Sequence, residues 1–185
     1  NKIIIFIHGY MGYKDWGCWN LVSDFFSSEN YAFLKYNASH NGGTLSNPID
    51  FSDLESFAEN NYIKEIQDFE AIVRVVDSEF NSNPEIYIIG HSRGGGIALL
   101  QSDFGRVSKI VSWAGISNIS ERFPTGEALR NWENDGVYFR ENGRTHQEMP
   151  HNYSQYENFL QYKDRLNIEN YCANSTTPTL IVHGE

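Results

Sequence analysis

The stretch Ile88-Ile89-Gly90-His91-Ser92-Arg93-Gly94-Gly95-Gly96 constrains this chain more than any other. An apolar run enters Gly-x-Ser-x-Gly and leaves into residues that read as helix. Strand, serine and helix thus follow in the order that a nucleophile on a sharp turn requires. The chemistry sets the spacing. A nucleophilic serine must stand on a tight, strained turn so that its oxygen projects above the carboxyl edge of a sheet. Gly90 and Gly94 flank it because a Cβ at either position would collide with the neighbouring strand and helix. The helix from Arg93 turns its N-terminal N–H groups toward the same place, which favours an oxyanion. Ser92 is therefore the candidate nucleophile.

The rest of the chain supplies the frame for such a turn. Five short runs rich in β-branched and aromatic residues, Ile3 to Ile7, Tyr31 to Tyr36, Glu85 to Ile89, Lys109 to Trp113 and Thr179 to His183, are mostly apolar on both faces. That pattern marks buried parallel strands. Between the second and third, Ile63, Ile66, Phe69, Val73, Val76 and Phe80 recur at helical spacing, which predicts an amphipathic helix over Asn61 to Phe80. Shorter helices are expected at Trp16 to Ser28 and Arg93 to Asp103. Strands and helices alternate, and each crossover is long enough for a right-handed unit. The fold class is an α/β, open, mostly parallel sheet flanked by helices.

One segment breaks the alternation. Residues 115–174 separate the fourth and fifth strands by far more than the usual connection, so they read as a lid or cap insertion on a core of 1–114 and 175–185. A helix is expected near Gln155 to Leu166. As a group, the aromatics Phe123, Trp132, Tyr138, Phe139, Tyr153, Tyr156, Phe159, Tyr162 and Tyr171 are expected to line part of a pocket. Residues 37–60 form a second long loop, with Asn41-Gly42-Gly43 and Asn47-Pro48 as turn signals.

Composition narrows the partners. In 185 residues, 24 Asp and Glu outweigh 14 Lys and Arg for a formal charge of -10, and no basic run exists to release counterions. Nucleic acid and anionic membrane surfaces are therefore poor partners. No apolar run approaches the roughly 20 residues that span a bilayer. The N-terminal stretch lacks the features of a signal peptide, and a cytoplasmic protein is the default expectation. Cys18 and Cys172 stand far apart without metal-site spacing and read as buried or idle thiols.

A second motif supports the first. Ile3-Ile4-Ile5-Phe6-Ile7 leads into His8-Gly9-Tyr10-Met11-Gly12, a strand followed by a loop whose backbone N–H can face the nucleophile. Two donors must meet a developing oxyanion, and the backbone N–H groups of Tyr10 and Arg93 are the candidates. Tyr10, Met11, His40, Trp132 and Tyr138 are the candidate substrate contacts.

With these motifs the sequence resembles the α/β-hydrolase superfamily, along essentially the whole chain. Pro178-Thr179-Leu180-Ile181-Val182-His183-Gly184-Glu185 is similar to that superfamily's late strand. The wider pattern resembles its dienelactone-hydrolase-like and feruloyl-esterase-like branches, although Arg93 stands where Gln, Met or Leu is common there. The resemblance implies a catalytic Asp shortly after the late strand and a catalytic His later, with a last strand and helix, all beyond Glu185. It implies no metal or organic cofactor.

The chain's own histidines read otherwise. His91 diverges from Ser92 at the turn and packs beneath it; His8 braces the oxyanion loop through a hydrogen bond; His183 ends a strand. His146 and His151 read as surface residues of the insertion. The stretch Ala114 to Ser120 holds no carboxylate, Glu121 comes late, and Glu185 is a minor candidate acid. The expected reaction is acyl transfer by a serine hydrolase, on a carboxylic ester of a small apolar or aromatic substrate, through an acyl-enzyme on Ser92. A thioesterase or small-amide hydrolase, or a non-catalytic binding protein of the same fold, is the alternative. Arg93, Arg122, Arg130 and Arg140 are solvated by default, and would receive a substrate carboxylate only where they face the pocket.

Overall fold

The computed structural model describes residues 2–80 and 83–184. Five strands, β1 (Lys2–Ile7), β2 (Ala32–Lys35), β3 (Glu85–His91), β4 (Val107–Trp113) and β7 (Thr179–Val182), form one sheet in the order β2-β1-β3-β4-β7. Every pairing in it is parallel. Each strand coincides with one of the five apolar runs, to within a residue or two.

Both faces of the sheet are covered, which is why its strands carry apolar residues without alternation. Ile3, Ile5, Ile86, Ile88 and Ile110 pack on one side against α3 (Tyr62–Glu79) and α4 (Arg93–Leu99). Ile4, Phe6 and Ile89 face the other side and meet Trp19, Val22 and Phe26 of α1 (Trp19–Ser28). The stripe Ile63, Ile66, Phe69, Val73 and Val76 predicted for α3 is buried throughout. Asn61 begins that helix by accepting a hydrogen bond from the Lys64 N–H.

Two features lie at the margins. Among the described residues β7 pairs with β4 alone, and Leu180, Ile181 and Val182 are exposed. Of the two readings for Cys18 and Cys172, buried or idle, the buried one is corrected: both are free and exposed. Among the described residues, no helix is long and apolar enough to cross a membrane.

The stretches between strands hold more structure than the sequence suggested. The long loop after β2 contains α2 (Leu54–Ala58). Between β4 and β7 come a 3-10 turn (Ser120–Arg122), α5 (Gly126–Asp135), β5 (Val137–Glu141), β6 (Glu148–Asn152), α6 (Ser154–Gln161) and α7 (Ile168–Asn174). β5 and β6 form an antiparallel hairpin that pairs Tyr138 with His151 and Arg140 with Met149. The two irregular segments pack on each other: Phe51, Phe57 and Met149 make a small apolar core, and Gln155 donates to the Ala58 carbonyl at 2.9 Å.

Strand order fixes where a ligand can sit. The chain steps from β1 to β2 on one side and then to β3 on the other, so the connections diverge between β1 and β3. A crevice opens at the carboxyl ends of strands flanking such a point. The loop after β1 and the turn after β3 carry the two motifs that the sequence singled out.

Candidate active site

Ser92 follows the last residue of β3 with φ 54° and ψ -117°, a conformation that costs a non-glycine residue about 1–3 kcal/mol. The surroundings hold it there. Its N–H donates to the Trp113 carbonyl at 2.9 Å, and its carbonyl accepts from Gly95 at 3.0 Å and from Ile116 at 3.2 Å. Both flanking glycines are required by contact: a Cβ on Gly90 would stand 2.1 Å from the Gly94 oxygen, and one on Gly94 would stand 2.3 Å from the Ile7 oxygen. Gly9 is tight against Ser92 itself, since its Cβ would lie 3.1 Å from the serine Cβ.

The loop after β1 turns at once. The Gly12 N–H reaches back to the Gly9 carbonyl at 3.0 Å, and Met11 takes a positive φ of 52°. His8 braces this loop. The Ala38 N–H donates to its Nε2 at 3.1 Å, so its Nδ1 carries the proton and donates to the Gly9 carbonyl at 2.9 Å. Burial lowers the His8 pKa and keeps the ring neutral, as this double role needs. His91 packs against Trp19, ring centres 4.9 Å apart, and borders a cavity beside Ser92.

Ser92 and Tyr10 together border two cavities. One, of about 120 Å³, lies toward Met11, Trp16, Trp19 and His91. The other, of about 160 Å³, is lined by Tyr62, Arg93, Phe123, Tyr138, Arg140 and His151, among others. Of the expected substrate contacts, Tyr10 and Tyr138 therefore border the larger cavity and Met11 the smaller. His40 lines neither; it bonds the Ser39 hydroxyl at 2.7 Å in the loop after β2. Trp132 is fully buried behind the wall, donating from Nε1 to the His151 carbonyl at 2.8 Å. The insertion's aromatics divide in the same way. Phe123 and Tyr138 line the cavity, whereas Tyr153 and Tyr156 pack around Trp132, and Phe139 is exposed.

His151 is the main correction. It was expected at the surface, yet it is 3% exposed and sits at the centre of the wall. Its Nδ1 meets the Met149 carbonyl at 2.9 Å, so that nitrogen carries the hydrogen. Its Nε2 then accepts from the Tyr10 hydroxyl at 2.6 Å. Tyr138 stacks on it with ring centres 4.6 Å apart. A sequence signal existed: Asn142-Gly143 lies between two strand-like runs, and the Asn142 side chain accepts the Arg144 N–H at 2.8 Å to shape that turn. With β5 and β6 paired, period-two alternation puts Met149 and His151 on the inner face.

Burial depresses the His151 pKa from 6.5 to about 4. The unfolded chain therefore binds a proton between those values that the folded chain refuses. The stability due to neutral His151 is complete above about pH 6.5 and is lost as the pH falls toward 4. In urea titrations, His151→Gln should flatten the fall of the unfolding midpoint across that window. An unchanged slope would show that His151 titrates normally in the folded state.

Arg93 is likewise buried rather than solvated. Its Nε lies 2.9 Å from Glu65, and its guanidinium sits 3.9 Å from the centre of the Tyr62 ring. Burial opposes its charge, but the Glu65 carboxylate together with Tyr62 and Tyr10 outweighs that and raises its pKa. Arg122 and Arg140 border the same cavity, and Arg130 does not.

None of the six histidines is placed as a base for Ser92. His8 and His151 have both ring nitrogens engaged, His91 diverges from its chain neighbour Ser92 and packs on Trp19, and His40, His146 and His183 lie outside the lining of both cavities. Glu185 lies outside the described residues. Among those residues, no three His, Cys, Asp or Glu side chains are grouped to hold a metal ion.

The model of the alpha/beta hydrolase family matches residues 4–167. No curated protein matches the sequence significantly. Solved structures do. Est1E from Butyrivibrio proteoclasticus with ferulic acid bound superposes with a TM-score of 0.74 at 19% identity, over 100% of this chain and 69% of that one. A soluble variant of monoglyceride lipase from Saccharomyces cerevisiae, in complex with a substrate analogue, gives 0.68 at 17% identity, over 99% and 68%. A monoacylglycerol lipase from Paleococcus ferrophilus gives 0.65 at 9%, over 97% and 71%.

Proposed function

Since the chain belongs to the α/β-hydrolase family, we propose that it is a serine hydrolase that cleaves a carboxylic ester through an acyl-enzyme on Ser92. The observation that carries this reading is the strained Ser92 backbone, locked between two glycines that tolerate no Cβ, where two cavities meet. Strained backbone of this kind clusters at active sites, which supports a catalytic task for this serine. The esterases and lipases of similar fold support ester substrates.

In this mechanism the Ser92 oxygen attacks the ester carbonyl and its proton passes to a histidine base, which the resemblance places after β7 together with its acid partner. The backbone N–H groups of Tyr10 and Arg93 receive the oxyanion; among the described residues neither donates to a backbone acceptor. The oxyanion collapses, the alcohol leaves with the histidine's proton, and water repeats the sequence on the acyl-enzyme to release the acid.

Residues 115–174 act as the lid in this reading, because Ile116 and six residues from Arg122 to Gln155 supply more than half of the larger cavity's wall. The smaller cavity, with Trp16, Trp19 and Met11, suits a small apolar part of the substrate.

Intact mass after exposure of the full-length protein to a fluorophosphonate tests the reading. One adduct that disappears in Ser92→Ala is the expected result. Folded protein that takes no adduct would instead make this a binding protein on a hydrolase frame.

A further inference from the structure

The larger cavity inverts the charge of the molecule that contains it. The chain carries 24 acidic residues against 14 basic ones, yet among the described residues this lining holds Arg93, Arg122 and Arg140 and no carboxylate. The three come from different parts of the chain: the helix after the nucleophile, the 3-10 turn after β4, and the hairpin strand β5. Chance scatter of charge on an acidic protein disfavours that convergence at a concave site.

Their charges are not all spent. Arg93 is neutralised by Glu65, and its Nη2 is buried without a hydrogen-bond partner among the described residues. Arg122 has only Glu121, 3.8 Å away on the open surface. The Arg140 guanidinium lies 5.9 Å from the Tyr10 ring centre, and among the described residues no ion pair holds it. Two rim cations and the paired Arg93 thus border a space of about 160 Å³, the size of a cavity that holds one six-membered ring.

We infer that the substrate carries a carboxylate, seated in the Arg93, Arg122 and Arg140 cavity, with the scissile ester at Ser92 and the small apolar part toward Trp16 and Trp19. This rests on the hydrolase reading and names its substrate class: half-esters of short dicarboxylic acids, or esters of short hydroxy acids. A guanidinium is suited to this because its fork matches a carboxylate in two parallel bonds.

The full-length enzyme is given paired esters that differ by one heavy atom, an aryl half-ester of glutaric acid against the aryl hexanoate, and a butyryl ester of a hydroxy acid against its methyl ester. In at least one pair the anionic member is expected to be favoured in kcat/KM by about 10- to 100-fold, the range for one charge-assisted hydrogen-bonded contact. That ratio should fall by about tenfold in Arg140→Gln or Arg122→Gln, stay unchanged in Arg130→Gln, and shrink as salt rises from about 0.01 to 1 M. Ratios near one in both pairs, or a ratio that both rim substitutions leave intact, would overturn the inference.

A binding measurement separates this failure from failure of the hydrolase reading. Calorimetric titration of full-length Ser92→Ala with monomethyl and dimethyl glutarate needs no turnover, and the monoanion is expected to bind at least about tenfold more tightly. Equal affinities overturn the carboxylate site. Preference for the monoanion, in a protein that takes no fluorophosphonate adduct, upholds the carboxylate site and removes the hydrolase.

Discussion

Ester turnover by Ser92→Ala is expected to fall by about 10⁴-fold or more, because loss of a nucleophile leaves only the contribution of substrate binding and oxyanion donors. The same position yields a second and opposite result. Ser92 holds φ at 54°, and alanine inherits that strain whereas glycine does not. Relief of about 1–3 kcal/mol, offset by about 0.5–1 kcal/mol for the freer unfolded chain, leaves Ser92→Gly the more stable by about 1 kcal/mol. For a chain of this length that raises the thermal midpoint by roughly 2–4 °C. Scanning calorimetry of the two inactive variants reads it. A glycine variant less stable than the alanine one would mean that the turn is not strained, and an alanine variant that still turns over ester would place the nucleophile elsewhere.

Gly94→Ala is expected to destabilise the protein by at least about 3 kcal/mol, a drop of roughly 6–12 °C in thermal midpoint. The new Cβ would stand 2.3 Å from the Ile7 oxygen, 2.5 Å from the His8 oxygen and 2.7 Å from the Ile7 carbonyl carbon. All are backbone atoms at the end of β1, flanked by β2 and β3, so no side chain can swing aside. Helix α4 would have to lift off the sheet and carry Ser92 with it. Gly105 is the control, since a Cβ there meets nothing within 4 Å, and its alanine variant should stay within about 0.5 kcal/mol of the parent. Equal midpoints for the two variants would show that α4 sits farther from β1 than described.

The sheet is legible because burial on both faces leaves its strands as unbroken apolar runs, and the sharp turn at Ser92 because its steric demands fall on glycines at fixed spacing. The bracing role expected of His8 and the packing of His91 followed from their places beside those motifs. Segment 115–174 was harder. Its hairpin strands are short and polar on one side, so Val137 to Glu141 carries no clear alternation, and only Asn142-Gly143 announces the turn. His151 reads as a surface residue because its burial depends on α2 and the Tyr10 side chain, both remote in sequence, and on the Tyr138 ring across the hairpin. Trp132 was placed against substrate for the converse reason. Aromatics near a site read alike in sequence, and only the fold shows which one fills the wall and which one forms its face. Arg93 belongs with these, since its partner Glu65 lies on a helix that the chain completes before β3 begins.

The Tyr10 hydroxyl joins the first loop of the chain to a hairpin 141 positions later. Anyone exchanging residues 115–174 for the equivalent segment of another hydrolase, to change what enters the cavity, would also remove the acceptor that Tyr10 uses. A working chimera must therefore bring its own acceptor at that point. Transplanted specificity and the posture of the first loop are, in this architecture, inherited together.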